Sequence, residues 1–345
     1  MSEEALWISE REVSELVGMA EAITALESGL RLEAQGQARN MVKTHANFGA
    51  HDTLHAIGAA FEGAGFVGTK TWAHTAGGAA PLLILFDSRS GALKAIIEAF
   101  ALGQLRTGAA SGLASDWLAA EEAGDMALIG TGKQALTQLA AVAAVRRLAR
   151  VRIFGRDAER RRAFTARVRA ELGLAAEEAP SVEAAVEGAA IVTLVTRSTE
   201  PFLFSAMVAK GAHVNAVGAI VPERAEFEPA LIDRCAVVAA DNVAQVRNLS
   251  REFRQRFGER EEGWASVKPL SALIAAGARR PAGADLTLFK AMGMGISDLA
   301  LGIEIYRRAR AGGLGRALPA RVAAAPRLAS NSPARRASER IKQGA

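Results

Sequence analysis

The strongest constraint on the fold is a strand, a glycine turn, a helix and a second strand in direct succession from Asp125 onward. The letters read MALIG for a buried strand, TGKQALTQLAAVAAVRRL for a helix and VRIFG for the next strand. A polar helix over Asp157–Leu174 and the apolar segments AAIVTLVT, AHVNAVG and AVVAAD continue this alternation. Short apolar strands that alternate with helices are typical of a doubly wound parallel sheet. We therefore expect an α/β protein with a Rossmann dinucleotide-binding domain over residues 121–295.

The turn GTGKQA after the first of these strands places Gly130, Gly132 and Ala135 in a G-x-G-x-x-A spacing. Gly130 permits the tight turn, Gly132 lets the backbone approach a pyrophosphate, and Ala135 allows the helix to pack closely on the strand. The helix N-terminus adds amide donors and a favourable dipole for phosphate groups. Because the motif follows a strand and opens a helix, it predicts a dinucleotide site rather than a structural turn.

The end of the second strand indicates which dinucleotide is bound. Enzymes that use NAD usually place an acid there to accept hydrogen bonds from the ribose hydroxyls. This chain has Gly155 followed by Arg156, with Arg160 and Arg161 one turn further on, and guanidinium groups suit a 2′-phosphate. Asp157 is either a helix cap or a ribose ligand. The sequence therefore predicts NADP(H) as the preferred cofactor, with NAD(H) possible.

Residues 1–120 follow a different pattern, which predicts a mixed α+β domain beside the Rossmann domain. An amphipathic helix is followed by β-type segments, TLHAIGAAF, GFVGTKTW and PLLILFD, and the glycine-containing turns between them favour an antiparallel sheet. The stretch Leu93–Ala119 is predicted to be helical, with a break near Gly103. A further helix over Asp298–Arg310 follows the Rossmann domain. We expect residues 296–317 to return to the first domain and make it discontinuous.

The net charge of +5 comes mainly from the tail, residues 318–345, which holds six Lys or Arg against one Glu. A tail rich in Ala, Pro, Ser and Arg is predicted to be disordered, and we expect no nucleic-acid partner. No apolar run is long enough to span a membrane, and the start MSEEALWISEREV lacks the pattern of a secretion signal. The single cysteine, Cys235, excludes an internal disulfide. We therefore expect a cytoplasmic protein without a membrane partner.

Six separated motifs occur in a definite order along the chain. They are GTKTW around Lys70, QLRTGAASGLA around Arg106, GTGKQA, VTLVTRSTEPF, GAHVNAVGA and DLTLFKAMGMGISDLA. Together they resemble the ornithine cyclodeaminase/mu-crystallin family over about Arg39 to Arg310. The resemblance implies an NAD(P)-dependent oxidoreductase that acts on C–N or C=N bonds of small amino or imino acids and assembles as a homodimer.

By this resemblance, Lys70 and Arg106 are the expected catalytic residues and hold the substrate carboxylate with the help of Arg39. His55 and Met292 are expected beside the substrate. The chemistry agrees, because a planar guanidinium binds a carboxylate in bidentate fashion and so orients the reacting carbon toward the nicotinamide. The same resemblance carries cofactor contacts over to Gly130, Gly132, Lys133, Gln134, Ala135, Gly155, Arg156, Thr196, Val217, Gly218 and Ala291.

Three positions depart from the family pattern. Ile220 stands where cyclodeaminases carry an acid that exchanges a proton with the substrate amine, and His55 stands where an ornithine-specific member has a glutamate. Ala291 replaces a frequent serine. The first two disfavour ornithine cyclodeamination, but reduction of a preformed, protonated imine needs only an anchored carboxylate and a hydride. We therefore predict reduction of small cyclic imino acids of the pyrroline-2-carboxylate or piperideine-2-carboxylate type.

Two alternatives stay open at this point. One is an amino-acid-oxidising member of the family, such as an ornithine cyclodeaminase or an alanine dehydrogenase. The other is an NADPH- and ligand-binding protein with little turnover, like mu-crystallin.

Other polar residues have weaker interpretations. The segment HDTLH, with His51, Asp52 and His55, resembles a zinc motif, but it lacks the glutamate and alternates like a strand, so we expect no metal. Asp298 is either a helix cap or ion-pair partner, or a neighbour of the active site. Lys290 is either a surface lysine or a cation of the pocket.

Overall fold

The computed structural model of the protein describes residues 4–50, 52–326 and 328. The strands are β1 (Leu6–Ile8), β2 (Ala38–Asn40), β3 (Thr44–Phe48), β4 (Asp52–Phe61), β5 (Phe66–His74), β6 (Leu82–Asp87), β7 (Leu93–Glu98), β8 (Asp125–Ile129), β9 (Arg150–Phe154), β10 (Ala176–Glu178), β11 (Ile191–Leu194), β12 (His213–Ala216), β13 (Cys235–Ala240), β14 (Val267–Pro269), β15 (Leu286–Lys290) and β16 (Arg316–Ala317). The α-helices are α1 (Glu10–Leu16), α2 (Met19–Ala34), α3 (Phe100–Leu118), α4 (Ala135–Ala143), α5 (Ala158–Leu172), α6 (Val182–Val186), α7 (Val243–Leu249), α8 (Arg251–Phe257), α9 (Glu261–Ser266), α10 (Leu270–Ala275) and α11 (Gly295–Gly312). Short 3₁₀ helices cover Glu62–Ala64, Ser205–Met207 and Pro229–Arg234.

Within these residues the strands form two sheets. The first has the order β16-β1-β7-β6-β5-β4-β2, with β3 paired to β4. It is antiparallel except where β1 runs parallel to β7. Helix α11, which follows the second sheet in the chain, packs on β4, β5 and β6. The first sheet is therefore covered by a helix from the far end of the described chain.

The second sheet is parallel throughout, with the order β10-β9-β8-β11-β12-β15-β13-β14. The residues of its central strands are all buried except Asp125 at the start of β8, as expected when helices cover both faces of a parallel sheet. After β8 the chain adds β9 and then β10 on one side of β8. It then crosses over and adds β11 and β12 on the other side of β8. Ligands of such sheets bind beyond the carboxyl ends of the strands at this switch point. The predicted α/β fold with a Rossmann sheet is confirmed.

Two glycines of α3 bring the two domains into direct contact. A Cβ at Gly108 would lie 2.6 Å from the carbonyl oxygen of Thr137, and one at Gly112 would lie 2.8 Å from that of Ala141. Because these positions lack a side chain, α3 lies against α4, the helix that follows the dinucleotide turn. The same α3 carries Arg106, so this contact sets the position of Arg106 relative to the turn.

The predicted helix over Leu93–Ala119 is wrong at its start. Leu93–Glu98 form β7, which pairs with both β6 and β1, and α3 begins only at Phe100. Pairing on two sides overrides the local helical pattern, because a strand's preference is decided by its cross-strand packing. The expected break at Gly103 is also wrong, since α3 continues through this residue. Gly103 lies beside Lys70, because a Cβ added at this position would be in ordinary van der Waals contact with the ammonium nitrogen, at 3.6 Å.

A change of register near the edge of the first sheet decides which side chains face its interior. Arg39 pairs with Ala60, whereas Thr44 pairs with Ala56. The chain thus advances five positions, from 39 to 44, while β4 moves by four, from 60 to 56. Because side chains alternate between the two faces of a strand, an offset of one residue exchanges the faces. Arg39 consequently lies on the outer face, and Lys43 turns to the inner face.

Two sequence predictions fall partly or wholly outside the described residues. They concern His51 of the HDTLH segment and the tail over 318–345, of which only 318–326 and 328 are described. Asp52 and His55 lie on β4. Within the described ranges, no group of three His, Cys, Asp or Glu side chains is arranged to hold a metal ion. In the same part of the chain, no helix combines the length and the apolar character needed to cross a membrane.

Candidate active site

A cleft of about 1210 Å³ lies between the carboxyl ends of the parallel strands and the first domain. One wall consists of the segments that follow β8, β9, β11, β12 and β15, and the other carries side chains from β4, β5, α3 and α11. This is the edge at which open α/β sheets bind ligands. The volume exceeds the roughly 300–1,000 Å³ that is usual for a small-molecule pocket. The cleft can therefore accommodate a dinucleotide together with a small substrate.

The GTGKQA turn fits a pyrophosphate. Gly130 has a φ of 121°, which residues with a side chain rarely adopt, and a Cβ there would lie 2.7 Å from the carbonyl oxygen of Val195. A Cβ at Gly132 would meet no atom within 4 Å, so its backbone borders open space in the cleft. Ala135 is the fully buried first residue of α4 and supports the turn from behind the cleft wall. Phosphate groups beside Gly132 would face the N-terminus of α4.

The segment after β9 brings Gly155, Arg156, Asp157 and Arg160 to the cleft. Asp157 caps α5, because its carboxylate accepts a hydrogen bond of 3.0 Å from the backbone N–H of Arg160. Arg161 turns away from the cleft, donates to the carbonyl of Gly155 at 2.8 Å and pairs with a glutamate of β10 at 3.1 Å. In this segment, the guanidinium groups that border the cleft are those of Arg156 and Arg160, and Nε of Arg160 lies 3.4 Å from Oδ2 of Asp157.

The other predicted cofactor residues that border the cleft are Lys133, Gln134, Thr196, Val217, Gly218 and Ala291. Two of their loops are held by the buried carboxylate of Glu226. It accepts hydrogen bonds from the backbone N–H groups of Thr196 at 2.6 Å and Gly218 at 2.8 Å. A Cβ at Gly218 would collide with this carboxylate and with Thr196, so the position requires glycine. Burial raises the pKa of Glu226, although the positive charge of Lys290 opposes the shift.

Lys70 and Arg106 meet at one buried carboxylate. The Lys70 ammonium lies 2.5 Å from Oδ1 of Asp298, and Nε of Arg106 lies 3.1 Å from the same oxygen. Asp298 is in the first turn of α11 and fully buried, and its Oδ2 has no hydrogen-bond partner within the described ranges. Arg106 lines the cleft, whereas Lys70 is 4% exposed and lies directly behind the wall. Asp298 is therefore both an ion-pair partner and a neighbour of the site.

Burial is the main influence on the charge of Lys70. It lowers the pKa of Lys70 to about 8, while the Asp298 carboxylate opposes this shift and the positive charge of Arg106 adds to it. The Lys70 ammonium also lies 5.3 Å from the ring centre of Trp72, which lines the cleft. Two cations against one carboxylate leave this group with one net positive charge. That charge complements a single carboxylate of a ligand.

Met292 lines the cleft, and its backbone N–H donates to the carboxylate of Asp241 at 2.9 Å. His55 lies behind Trp72, with the two ring centres 4.8 Å apart in a stacked arrangement. Burial lowers the pKa of His55, and the charge of Lys43 acts in the same direction. His55 can therefore orient Trp72, but it does not itself line the cleft.

The structure separates Arg39 from the other expected substrate ligands. The Arg39 side chain is exposed and pairs with Glu62, away from Lys70 and Arg106. The expectation that Arg39 assists these two residues is therefore corrected. Its physical reason is the register change, which turns Arg39 outward and brings Lys43 to the cleft instead.

Sequence reasoning missed Lys43, Trp72 and Asp241, all of which line the cleft. Trp72 belongs to the GTKTW motif, but no role was assigned to it. Asp241 directly follows β13, and an acid at the carboxyl end of a parallel strand is a signal that could have found it. Burial raises the pKa of Asp241, although backbone N–H groups of the loop after β15 donate to its carboxylate. Lys43 had no local signal.

Ile220 borders the cleft, so an apolar side chain lies at the position where the resemblance implies an acid in cyclodeaminases. Lys290 is neither a surface lysine nor a cation of the cleft. It is fully buried, donates to the carbonyl of Ala219 at 2.7 Å and lies 3.8 Å from Glu252. It therefore supports the loop that presents Ile220.

A family model and several known proteins match most of this chain. A family model described as "Ornithine cyclodeaminase/mu-crystallin family" matches residues 3–313. A Delta(1)-pyrroline-2-carboxylate reductase of Bacillus cereus is 30% identical over 239 residues, which cover 68% of this chain and 72% of that protein.

Two solved structures share the fold. The iminosuccinate reductase of Paracoccus denitrificans in complex with NAD⁺ has a TM-score of 0.85 at 25% identity, over 92% of this chain and 100% of that one. An archaeal alanine dehydrogenase dimer with bound NAD has a TM-score of 0.83 at 26% identity, over 92% of this chain and 99% of that one. The architecture predicted from the sequence is thus one that known nicotinamide enzymes have.

Proposed function

The chain belongs to the ornithine cyclodeaminase/mu-crystallin family, and from this membership we propose that it is an NAD(P)H-dependent reductase of small cyclic imino acids. The substrates are of the pyrroline-2-carboxylate or piperideine-2-carboxylate type, and the relative from Bacillus cereus is named for such a reaction. The observation that carries the proposal is the carboxylate of Asp298, which holds Lys70 and Arg106 at the wall that faces the dinucleotide turn.

In this proposal Arg106 binds the substrate carboxylate through its planar guanidinium, and Lys70 adds a second positive charge from behind. Asp298 keeps both cations in place without cancelling their combined charge. When bound, the reduced nicotinamide supplies the hydride that converts the C=N bond to C–N. Ile57 and Trp72 offer apolar surface on the same wall, which suits the ring of a cyclic imine.

Ile220 supports reduction over amine oxidation. An amine must lose a proton before a hydride can leave its carbon, and a side chain without an ionisable group cannot accept that proton. A preformed, protonated imine needs no such acceptor. Amino-acid oxidation, as the name of the archaeal relative indicates for that protein, and cofactor binding with little turnover are the alternatives.

Turnover with defined substrates tests this proposal. We expect the protein to oxidise NADPH with pyrroline-2-carboxylate or piperideine-2-carboxylate, and to release no ammonia from ornithine or alanine with NADP⁺. Arg106→Ala should lower kcat/KM for the imine by about a hundredfold or more, since a desolvated charged contact contributes roughly 3 kcal/mol. Arg89→Ala, which changes an exposed arginine in a turn, is the matched control. A protein that binds NADPH but reduces neither imine would disprove the proposal.

We further propose NADP(H) as the preferred cofactor, with NAD(H) possible. Gly155 occupies the place of the acid that NAD enzymes use, and Arg156 and Arg160 border the cleft beside it. The carboxylate of Asp157 is engaged as the cap of α5, which disfavours its use as a ribose ligand. The support for this preference is thus a missing acid and two guanidinium groups.

We also propose that the protein is a homodimer in which a second copy covers the outer face of β3 and β4. Phe48 and Leu54 lie on this face and are 45% and 48% exposed, and Val42, which precedes β3, is 75% exposed. Grouped exposed apolar side chains are typical of interaction surfaces. The archaeal alanine dehydrogenase is a dimer, which supports the choice of occupant.

A cytoplasmic location is part of the same proposal. Its support is the single cysteine, since secreted proteins commonly use paired cysteines. Burial raises the pKa of the Cys235 thiol to about 12. A thiol in this environment is unreactive, so Cys235 acts as a packing residue.

A further inference from the structure

The carboxylate of Glu226 joins two loops at the carboxyl edge of the parallel sheet. Its Oε1 accepts the backbone N–H of Thr196, which follows β11, at 2.6 Å and the Thr196 hydroxyl at 2.8 Å. Its Oε2 accepts the backbone N–H groups of Gly218 and Ala219, which follow β12, at 2.8 Å and 3.1 Å. Each oxygen thus holds a different loop, and Glu226 is fully buried between them.

These contacts suit a carboxylate and not an amide. A carboxylate accepts hydrogen bonds at both oxygens, whereas a glutamine side chain has one accepting oxygen and a donating NH₂ group. In either orientation of such an amide, one of the two loops would present its N–H to another donor. A buried N–H that is left without an acceptor costs free energy. A glutamine at position 226 therefore cannot hold both loops at once.

Two further buried charges support Glu226. Its backbone N–H donates to Oε1 of Glu252 at 3.1 Å, and the Lys290 ammonium lies 3.8 Å from the same oxygen. Lys290 also donates to the carbonyl of Ala219 at 2.7 Å, so Ala219 is held at its N–H by Glu226 and at its carbonyl by Lys290. Burial raises the pKa of Glu226, while the charge of Lys290 and the backbone N–H groups oppose this shift. The loop that leads to Ile220 is therefore held from two sides.

Both loops belong to the same half of the Rossmann domain. Such a domain consists of two mononucleotide-binding halves, and the position after β9 contacts the adenosine ribose. The adenosine side therefore lies over β8, β9 and β10, and the half with β11, β12 and β15 receives the nicotinamide nucleotide. Thr196 and Gly218 line the cleft in this second half, whereas Glu226 itself does not line the cleft.

We propose that Glu226 is a positioning residue for the nicotinamide half of the cofactor, and that it acts through Thr196 and Gly218. The adenosine half does not depend on it, because Gly132 and Arg156 border the cleft on segments that Glu226 does not contact. The inference concerns the cofactor alone and is independent of which imine the protein reduces.

The experiment compares a whole cofactor with its adenosine part. NADPH is paired with 2′,5′-ADP, which has the adenosine and its phosphates but no nicotinamide. If the wild type prefers NADH, NADH and ADP replace this pair. Calorimetric titration without substrate measures the dissociation constants. In Glu226→Gln we expect the constant for NADPH to rise by about tenfold or more, because hydrogen bonds to a charged group are lost, and that for 2′,5′-ADP to change by less than about threefold.

A nearby carboxylate provides the matched control. Glu228 is half-buried, and its carboxylate also accepts a backbone N–H, that of Ser205, but neither residue lines the cleft. Glu228→Gln should leave both dissociation constants within about threefold of the wild type. Equal losses of affinity for NADPH and 2′,5′-ADP in Glu226→Gln would overturn the inference, because Glu226 would then support the whole domain. An unchanged affinity for NADPH would overturn it as well.

Hydrogen exchange of the wild type tests the same contacts without a substitution, and so does not depend on whether Glu226→Gln folds. Peptides that contain Thr196 and Gly218 should exchange slowly before any cofactor is added, since their N–H groups already bind Glu226. Rapid exchange of these peptides until NADPH binds would show that the cofactor orders the loops, and would refute the role of Glu226.

Discussion

Lys70 and Asp298 are 228 positions apart in the chain, yet the Lys70 ammonium lies 2.5 Å from Oδ1 of the Asp298 carboxylate. Neither residue is more than 4% exposed. Arg106 approaches the same oxygen at 3.1 Å, so strand β5 and helices α3 and α11 contribute one charge each to a single cluster. Because a buried charge is stable only beside a counter-charge, each member depends on the others.

Asp298→Asn should weaken both the fold and the binding of substrate. The substitution retains the shape but leaves Lys70 and Arg106 beside each other without a counter-charge, and breaking a buried pair costs about 3–5 kcal/mol. We expect the melting temperature to fall by about 5 °C or more, and KM for the imino acid to rise more than kcat falls. Asp116→Asn, which removes ion pairs away from the cleft, should lower the melting temperature without changing KM. An unchanged KM in Asp298→Asn would assign the cluster a purely structural role.

The charge of Lys70 should set the upper pH limit for capture of the substrate. Burial lowers the pKa of Lys70 to about 8, so the residue is an ammonium below this pH and a neutral amine above it. Since kcat/KM reports the free enzyme, we expect it to fall as the pH rises through about 8. The Asp298 carboxylate raises the pKa of Lys70, so Asp298→Asn should move this decline to lower pH. Identical pH profiles for the two proteins would show that Lys70 does not control binding.

Arg156→Ala should reduce the preference for NADPH over NADH. A charge-assisted contact with the 2′-phosphate contributes roughly 1.5–3 kcal/mol, which corresponds to about one to two decades in affinity. Arg162→Ala is the matched control, because Arg162 is exposed on α5 and is not among the cleft-lining residues. Dissociation constants from fluorescence titration measure both variants. Equal affinity of the wild type for the two cofactors would be incompatible with the proposed preference.

Ile220→Asp should introduce weak amine oxidation into a reductase. The new carboxylate stands where it can accept a proton from a substrate amine, but its apolar neighbours should raise its pKa. We therefore expect slow formation of NADPH from an amino acid and NADP⁺, mainly at higher pH, together with slower imine reduction. Ile220→Leu should remain a reductase. Efficient release of ammonia from ornithine by the wild-type protein would contradict the role assigned to Ile220.

Leu54→Glu should convert the proposed homodimer to a monomer. A charged side chain in the centre of the outer face of β3 and β4 would be buried without a partner when a second copy binds. Phe204→Glu is the control, since Phe204 is 44% exposed, close to the 48% of Leu54, but lies outside this face. Sedimentation velocity separates the two states. A wild-type protein that is monomeric at micromolar concentration would refute the proposed dimer.

Much of the second domain could be predicted because its signals are local. The strand, turn and helix around Gly130 and Gly132 form a local unit, and the structure shows this order, with the positive φ at Gly130 and open space beside Gly132. The buried parallel strands appear in the sequence as apolar runs, as strands covered on both faces do. The capping of α5 by Asp157 depends on an equally local contact, because its carboxylate binds the backbone N–H only three positions further on. The sequence did not predict some short elements, such as strands β14 and β16.

The first domain was less predictable because its strands depend on distant partners. Leu93–Glu98 has a helical pattern, but pairing with β6 and β1 makes it a strand. Arg39 was expected at the cleft, but Lys43 lies there instead, because one extra residue between the paired positions reverses the faces of the chain. Nothing within the segment itself reveals such an offset.

The sequence by itself determined the Rossmann fold and the family, since motif spacing and apolar periodicity are properties of the linear order of residues. It also led to the prediction of Lys70 and Arg106 as substrate ligands, which stays a prediction. Only the tertiary structure decided which charges share a space. Asp298 joins Lys70 across 228 positions, and Lys43 rather than Arg39 turns toward the cleft. The physical reason is that the energy of a buried charge depends on its neighbours in space, and those neighbours are set by strand register and helix packing between segments far apart in the chain.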